Sequence, residues 1–77
     1  GWVSFIRNII IASGNSKSRE LIEDIKPLLL DSNSIVRGSA VCAYGQLQNL
    51  SEKRKAKKEF INNEKNRYVL YEWSLFN

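Results

Sequence analysis

The chain contains no histidine and a single cysteine, Cys42. The first absence removes the commonest general base and the commonest metal ligand together. One thiol without an imidazole cannot supply four ligands to zinc or to an iron–sulfur cluster. Nor can it close an internal disulfide, which suits a reducing, cytoplasmic setting. We therefore expect no catalytic residue, no metal and no cofactor in this chain. Long hydrophobic runs are missing too. The longest, Ala40 to Tyr44, has five residues, far short of the ~18 that span a bilayer, so no membrane partner is expected. The opening residues lack the charged and apolar regions of a signal peptide. Gly1 followed at once by Trp2 and Phe5 reads as mid-domain sequence, so a fragment of a longer polypeptide is expected.

What remains is helical. No segment sustains strand alternation, and glycine-rich hairpins do not occur. With 77 residues, 43% of them apolar and 26% charged, the chain fits one small globular domain near the lower limit for an independent core. Val3, Ile6, Ile9 and Ile10 place a helix over 2–13, with Gly14-Asn15-Ser16 as its stop. Leu21, Ile22, Ile25, Leu28 and Leu29 place a second over 18–30, capped by Ser16 or Ser18 and kinked at Pro27. Asp31-Ser32-Asn33-Ser34 is a turn offering Ser34 as the next cap. Val36, Ala40, Ala43, Tyr44 and Leu47 then line one face of a third helix. A fourth opens at Ser51 and runs to about Asn62, and a fifth spans about Asn66 to Phe76.

Leu28-Leu29-Leu30-Asp31 followed by Ile35-Val36-Arg37-Gly38-Ser39-Ala40-Val41-Cys42-Ala43-Tyr44 has the layout of a HEAT-type helical hairpin. Such a unit buries its apolar face only by stacking on neighbours. Ile6-Arg7 precedes Val36-Arg37 by 30 residues, and Val36 precedes Val69 by 33. That period is shorter than the ~40–47 usual for HEAT units, yet the tetratricopeptide and ankyrin signatures are absent. The fold class expected is all-α: HEAT-like hairpin repeats forming an α-solenoid fragment of about five helices. Residues 1–77 form a single domain, divided into the second helix of one hairpin (1–14), a hairpin at 17–48 and a hairpin at 51–77.

Charge is concentrated in one stretch. Ser51 to Arg67 holds seven basic residues against Glu52, Glu59 and Glu64, an excess equal to the +4 of the whole chain. At ~100° per residue, Ala56 and Phe60 mark the buried side of this helix. Arg54, Lys55 and Lys58 fall broadly opposite, and Lys53 and Lys57 flank the apolar edge. A cationic row on a rigid helix suits phosphate contacts; the plainer alternative is a solvated face. Lys65, Arg67, Tyr68, Tyr71 and Trp73 mix cations with aromatics as single-stranded RNA sites do. Val69, Leu70, Trp73 and Phe76 also form a core stripe, which leaves Tyr68 and Tyr71 as the exposed pair. Arg7 and Arg37 hold equivalent repeat positions and can line one ridge facing a ligand. The favoured reading is structural, since Asp31 and Arg37 flank the turn between paired helices, and in HEAT units an acidic turn residue and this arginine commonly bond across neighbouring repeats. Glu20 and Asp24 share a helix face with nothing to tune them, and Cys42 reads as a small packed residue.

Two blocks, Arg7-Asn8-Ile9-Ile10-Ile11-Ala12-Ser13-Gly14-Asn15-Ser16 and Ile35-Val36-Arg37-Gly38-Ser39-Ala40-Val41, carry a more specific likeness. With Val69-Leu70-Tyr71-Glu72-Trp73 they resemble the carboxyl-terminal HEAT-like region of epoxyqueuosine reductase, the bacterial enzyme that completes queuosine in the tRNA anticodon. Leu70 stands where that family tends to have arginine, and Cys42 where it often has tryptophan. The resemblance implies a parent oxidoreductase using cobalamin and two [4Fe–4S] clusters, held by a catalytic domain upstream in the same polypeptide. It implies that the present segment helps hold the tRNA anticodon stem-loop. Arg54, Lys55 and Lys58 are then the leading phosphate contacts, Lys53 and Lys57 supporting ones, and Arg7 and Arg37 further candidates. A generic HEAT-repeat scaffold for protein–protein interaction is the competing expectation.

Overall fold

The computed structural model describes residues 1–76. Its five α-helices are α1 (Trp2–Asn15), α2 (Ile22–Ile25), α3 (Ser34–Leu47), α4 (Leu50–Phe60) and α5 (Arg67–Ser74). Tight 3-10 turns at Arg19–Leu21 and Lys26–Leu30 flank α2, and another at Ile61–Asn63 extends α4. The described residues contain no strand.

Asparagine caps three of these helices: at α3 and α4 it stands where serine was expected, and at α5 it is Asn66, the expected start. Asn33 Oδ1 accepts from the amides of Ile35 and Val36 at 2.8 and 3.3 Å, Asn49 Oδ1 from Glu52 at 2.9 Å, and Asn66 Oδ1 from Tyr68 and Val69 at 2.9 and 3.2 Å. Each asparagine keeps an extended backbone, which aims its side chain at amides that have no intrahelical partner. Ser34 and Ser51 lie inside the helices they were expected to cap.

Pro27 does more than kink a helix. The continuous helix expected over 18–30 is reduced to the four-residue α2 between two 3-10 turns. Proline has no amide proton to give, and its ring crowds the carbonyl one turn back, here that of Glu23. The segment still buries Ile25 and Leu29, with Leu21, Ile22 and Leu28 half-buried beside them.

The end of α1 also differs from the expected stop. Gly14 and Asn15 remain helical, and the left-handed residue is Lys17, at φ 60°. Gly14 is needed for contact instead. A Cβ there would sit 2.8 Å from Ala43 Cα and 3.0 Å from Ala43 Cβ, so the backbones of α1 and α3 meet at this point.

Helix α3 is the centre of the molecule, with nine of its fourteen residues buried, from Val36 to Leu47. It packs against α1, α5 and the segment around Leu29. Val3, Ser4 and Arg7 border one groove with Ile35, while Gly14 meets Ala43; α1 and α3 therefore run parallel. Tyr68 lies on Gly38 and Phe76 on Gly45, so α5 runs parallel to α3 as well. These touching pairs differ by 29, 30 and 31 residues. Gly38 costs a helix interior ~1 kcal/mol relative to alanine, and in exchange the Tyr68 ring rests directly on the backbone. Helix α4 is held more lightly, by buried Ala56 and by Phe60 stacked on Trp73 with ring centroids 6.0 Å apart.

Two substitutions test this geometry. Gly14→Ala should lower stability by about 1–3 kcal/mol despite its better helix propensity, because backbone cannot step aside as a side-chain tip can. Lys17→Gly should raise it by about 0.5–1 kcal/mol by relieving the left-handed cost. Urea titrations of both variants read the signs.

Candidate nucleic-acid interface

The cations of α4 divide into two sets. Arg54, Lys55 and Lys58 are exposed. Lys53 and Lys57 are half-buried and bend toward Phe76: Lys57 Nζ donates to the Phe76 carbonyl at 3.2 Å, and Lys53 Nζ lies 5.9 Å from the Phe76 ring centroid. Their stems cover apolar surface while their charged ends stay near water. Among the described residues the one ion pair is Arg37–Glu64, so Arg54, Lys55 and Lys58 have no carboxylate within ion-pair reach. Arg54 and Lys58 stand about 6 Å apart along the helix axis, one turn, giving an open row of fixed positive charge.

Arg7 and Arg37 part company. Arg7 is exposed on α1. Arg37 is folded inward, and its guanidinium makes four hydrogen bonds: Nε and Nη2 to the two Glu64 oxygens at 2.7 and 2.8 Å, and Nη1 to the carbonyls of Asp31 and Ser32 at 3.0 and 3.3 Å. This fork-on-fork pairing is the strong form of the interaction. The Glu64 side chain is only 8% exposed, and it also accepts from the amides of Lys65 and Asn66 at 3.2 and 2.9 Å. Arg37 thus joins the turn before α3 to the turn before α5, and little of it is left for a phosphate.

Electrostatics follow from those contacts. Hydrogen bonding to Arg37 holds the Glu64 carboxyl below the usual carboxylate range against the opposing cost of burial, with the Asn66 amide helping. The same hydrogen bond raises Arg37. Burial alone pushes Glu72 upward. A cleft of about 400 Å³ opens beside the pair, floored by Leu29, Phe60 and Trp73.

The other residues singled out in the sequence are placed as follows. Lys65, Arg67, Tyr68 and Tyr71 are exposed, whereas Trp73, at 1% exposure, belongs to the core with Val69 and Phe76. Glu20 and Asp24 are both exposed. Cys42 is half-buried, with Gln46 Nε2 at 3.8 Å from its sulfur.

Two features were not anticipated. Glu64 as the partner of Arg37 lies 27 residues away, beyond the reach of local pattern reading. A repeated turn could have revealed it: Asp31-Ser32-Asn33 and Glu64-Lys65-Asn66 each place an acid two residues before a capping asparagine, and each acid accepts from that asparagine's amide at 2.9 Å. The second feature is an exposed apolar stripe on α1 made by Trp2, Phe5 and Ile9, with the Trp2 and Phe5 rings 5.8 Å apart. Their spacing of three and four residues was the available signal. No family model, curated protein or solved structure matches this chain.

The pair makes stability depend on pH. A carboxyl depressed in the fold contributes stability above its unfolded pKa and loses it as pH falls through the folded value. Glu72, raised by burial, works weakly in the opposite sense. Stability should therefore fall below about pH 4. Glu64→Gln should cost about 2 kcal/mol near neutrality, where it leaves Arg37 half-paired, and should flatten that acid loss. Denaturant unfolding across this pH range measures both.

Proposed function

We propose that this chain is a HEAT-like repeat module that binds the phosphate backbone of tRNA through α4, in the service of a catalytic domain elsewhere in the same polypeptide. The observation that carries the reading is the unpaired row Arg54, Lys55 and Lys58 on an exposed helix face. Lys53 and Lys57 support it by position. Arg7 is a secondary contact, and Arg37 serves the scaffold. The parallel succession of α1, α3 and α5 at offsets of about thirty residues supports a stacked-repeat organisation. The likeness of Arg7–Ser16 and Ile35–Val41 to the HEAT-like region of epoxyqueuosine reductase supplies tRNA, and its anticodon stem-loop, as the ligand.

On this reading cobalamin and the iron–sulfur clusters belong to the catalytic domain. A four-thiolate cluster needs more donors than Cys42 can offer. The contribution of the present residues is to bind and to orient: fixed cations hold the RNA backbone in register without reading its sequence. A second reading, a protein-interaction scaffold, is favoured by one observation, the Trp2–Phe5–Ile9 stripe, in which Trp2 is 73% exposed.

The deciding experiment is a tRNA titration at several salt concentrations. The triple variant Arg54→Ala, Lys55→Ala, Lys58→Ala should bind more weakly and lose roughly one unit of salt slope per phosphate contact removed. Its unfolding midpoint should stay near that of the parent, since exposed positions seldom change stability by more than about 0.5 kcal/mol. An unchanged slope would reject the RNA reading. Replacing Trp2 and Phe5 by serine should leave tRNA binding intact, while the scaffold reading expects those two changes to abolish partner capture.

A further inference from the structure

We propose that the groove at the amino-terminal ends of α1, α3 and α5 is a stacking site for one unpaired base of single-stranded RNA, with Tyr68 as its platform and Arg7 on the adjoining phosphate. The proposal rests on the RNA reading above but uses a different surface. The groove holds about 350 Å³ and is lined by Val3, Ser4, Arg7, Ile35 and Tyr68, none of which belongs to α4.

Three properties fit a nucleotide. The Tyr68 ring is fixed in place, because it lies where any side chain at position 38 would be: a Cβ on Gly38 would come within 2.2 Å of a ring carbon. Tyr68 as a residue is nonetheless 39% exposed and lines the groove, which a purely space-filling tyrosine seated on a helix backbone does not require. An immobilised, partly open aromatic face is what base stacking uses, and it works with any base. Val3 and Ile35 supply apolar walls for the flat faces of a base, and Ser4 supplies a hydroxyl for its polar edge. Finally, the only charged side chain lining the groove is Arg7, which has no ion-pair partner among the described residues. Apolar walls with a single free cation match a base carrying one phosphate. They would leave a fully paired duplex with nothing to insert.

Fluorescence titrations with the full chain test this, using a single-stranded oligoribonucleotide of roughly 4–16 nucleotides and a duplex RNA of matched length. Tyr68→Ala should weaken single-strand binding about 5- to 100-fold and leave duplex binding unchanged, while Tyr68→Phe retains the affinity. Because Tyr68→Ala also removes a ring packed on α3, Arg7→Ala provides an independent arm on a solvated side chain. It should reduce the single-strand salt slope by roughly 0.7 units. Wild-type protein that ignores single strands overturns the proposal. So does single-strand binding indifferent to both Tyr68→Ala and Arg7→Ala, which would assign the groove to packing or to a protein partner. The two readings fail separately. Loss of duplex but not single-strand binding in the α4 triple variant keeps this groove, and an α4 salt slope that survives without any single-strand binding removes it.

Discussion

The structure depends on how closely other helices can approach α3. A helix buried at nine of fourteen positions must be thin, and its side chains accordingly include Gly38, Ser39, Ala40, Ala43 and Gly45. Small residues bring little apolar area of their own, and hydrophobic stabilisation scales with area removed from water. Large groups come from α3 itself at Val36, Val41, Tyr44 and Leu47, and from the surroundings at the close approaches: Ile10 from α1, Leu29 from the bent segment, Val69 and Trp73 from α5. Ser39 illustrates the cost of so dry a centre. Ser39 is only 1% exposed, and its hydroxyl donates to the Ile35 carbonyl at 2.7 Å, as a buried polar group must find a partner.

A centre built this way fixes the direction of its neighbours but binds their ends weakly, and the polar turns supply what the core lacks. Arg37 ties the Asp31–Ser32 carbonyls to Glu64, so the turns that start α3 and α5 are joined through one guanidinium. The asparagine caps then fix the first turn of each helix. The contrast with α4 is physical. That helix offers one small buried side chain, Ala56, and a half-buried Phe60, and its amphipathic edge is completed by the stems of Lys53 and Lys57. Two lysines lie against Phe76, while Arg54, Lys55 and Lys58 are exposed with no ion-pair partner among the described residues.

Much of this was legible from sequence because it is local. The all-helical class, the buried face through Val36, Ala40, Ala43, Tyr44 and Leu47, and the outward row of Arg54, Lys55 and Lys58 all follow from periodicity. What was not legible depends on tertiary choice. Ser34 and Asn33 are comparable caps, and only the backbone at Asn33 decides between them. Gly14 looks like a helix stop because glycine usually is one; here Ala43 requires its missing side chain, and the left-handed turn falls on Lys17. Pro27 signalled a kink, but the extent of the break depended on whether i to i+3 bonds could replace the lost ones.

Two arginines thirty residues apart, on the parallel helices α1 and α3, end in different surroundings. Arg37 meets Glu64, an acid of the turn before α5, and so becomes a strut. Arg7 precedes Asp31 in the same order, yet Asp31 Oδ2 is occupied by the Asn33 amide at 2.9 Å, and no ion pair forms between the two. A glutamate is one methylene longer than an aspartate. Glu64 can accept from the amides behind it while still presenting both oxygens to Arg37. The shorter Asp31 caps its own turn and contributes its carbonyl to Arg37 instead. Arg37 is thereby sequestered, whereas Arg7 stays exposed in the groove it shares with Tyr68.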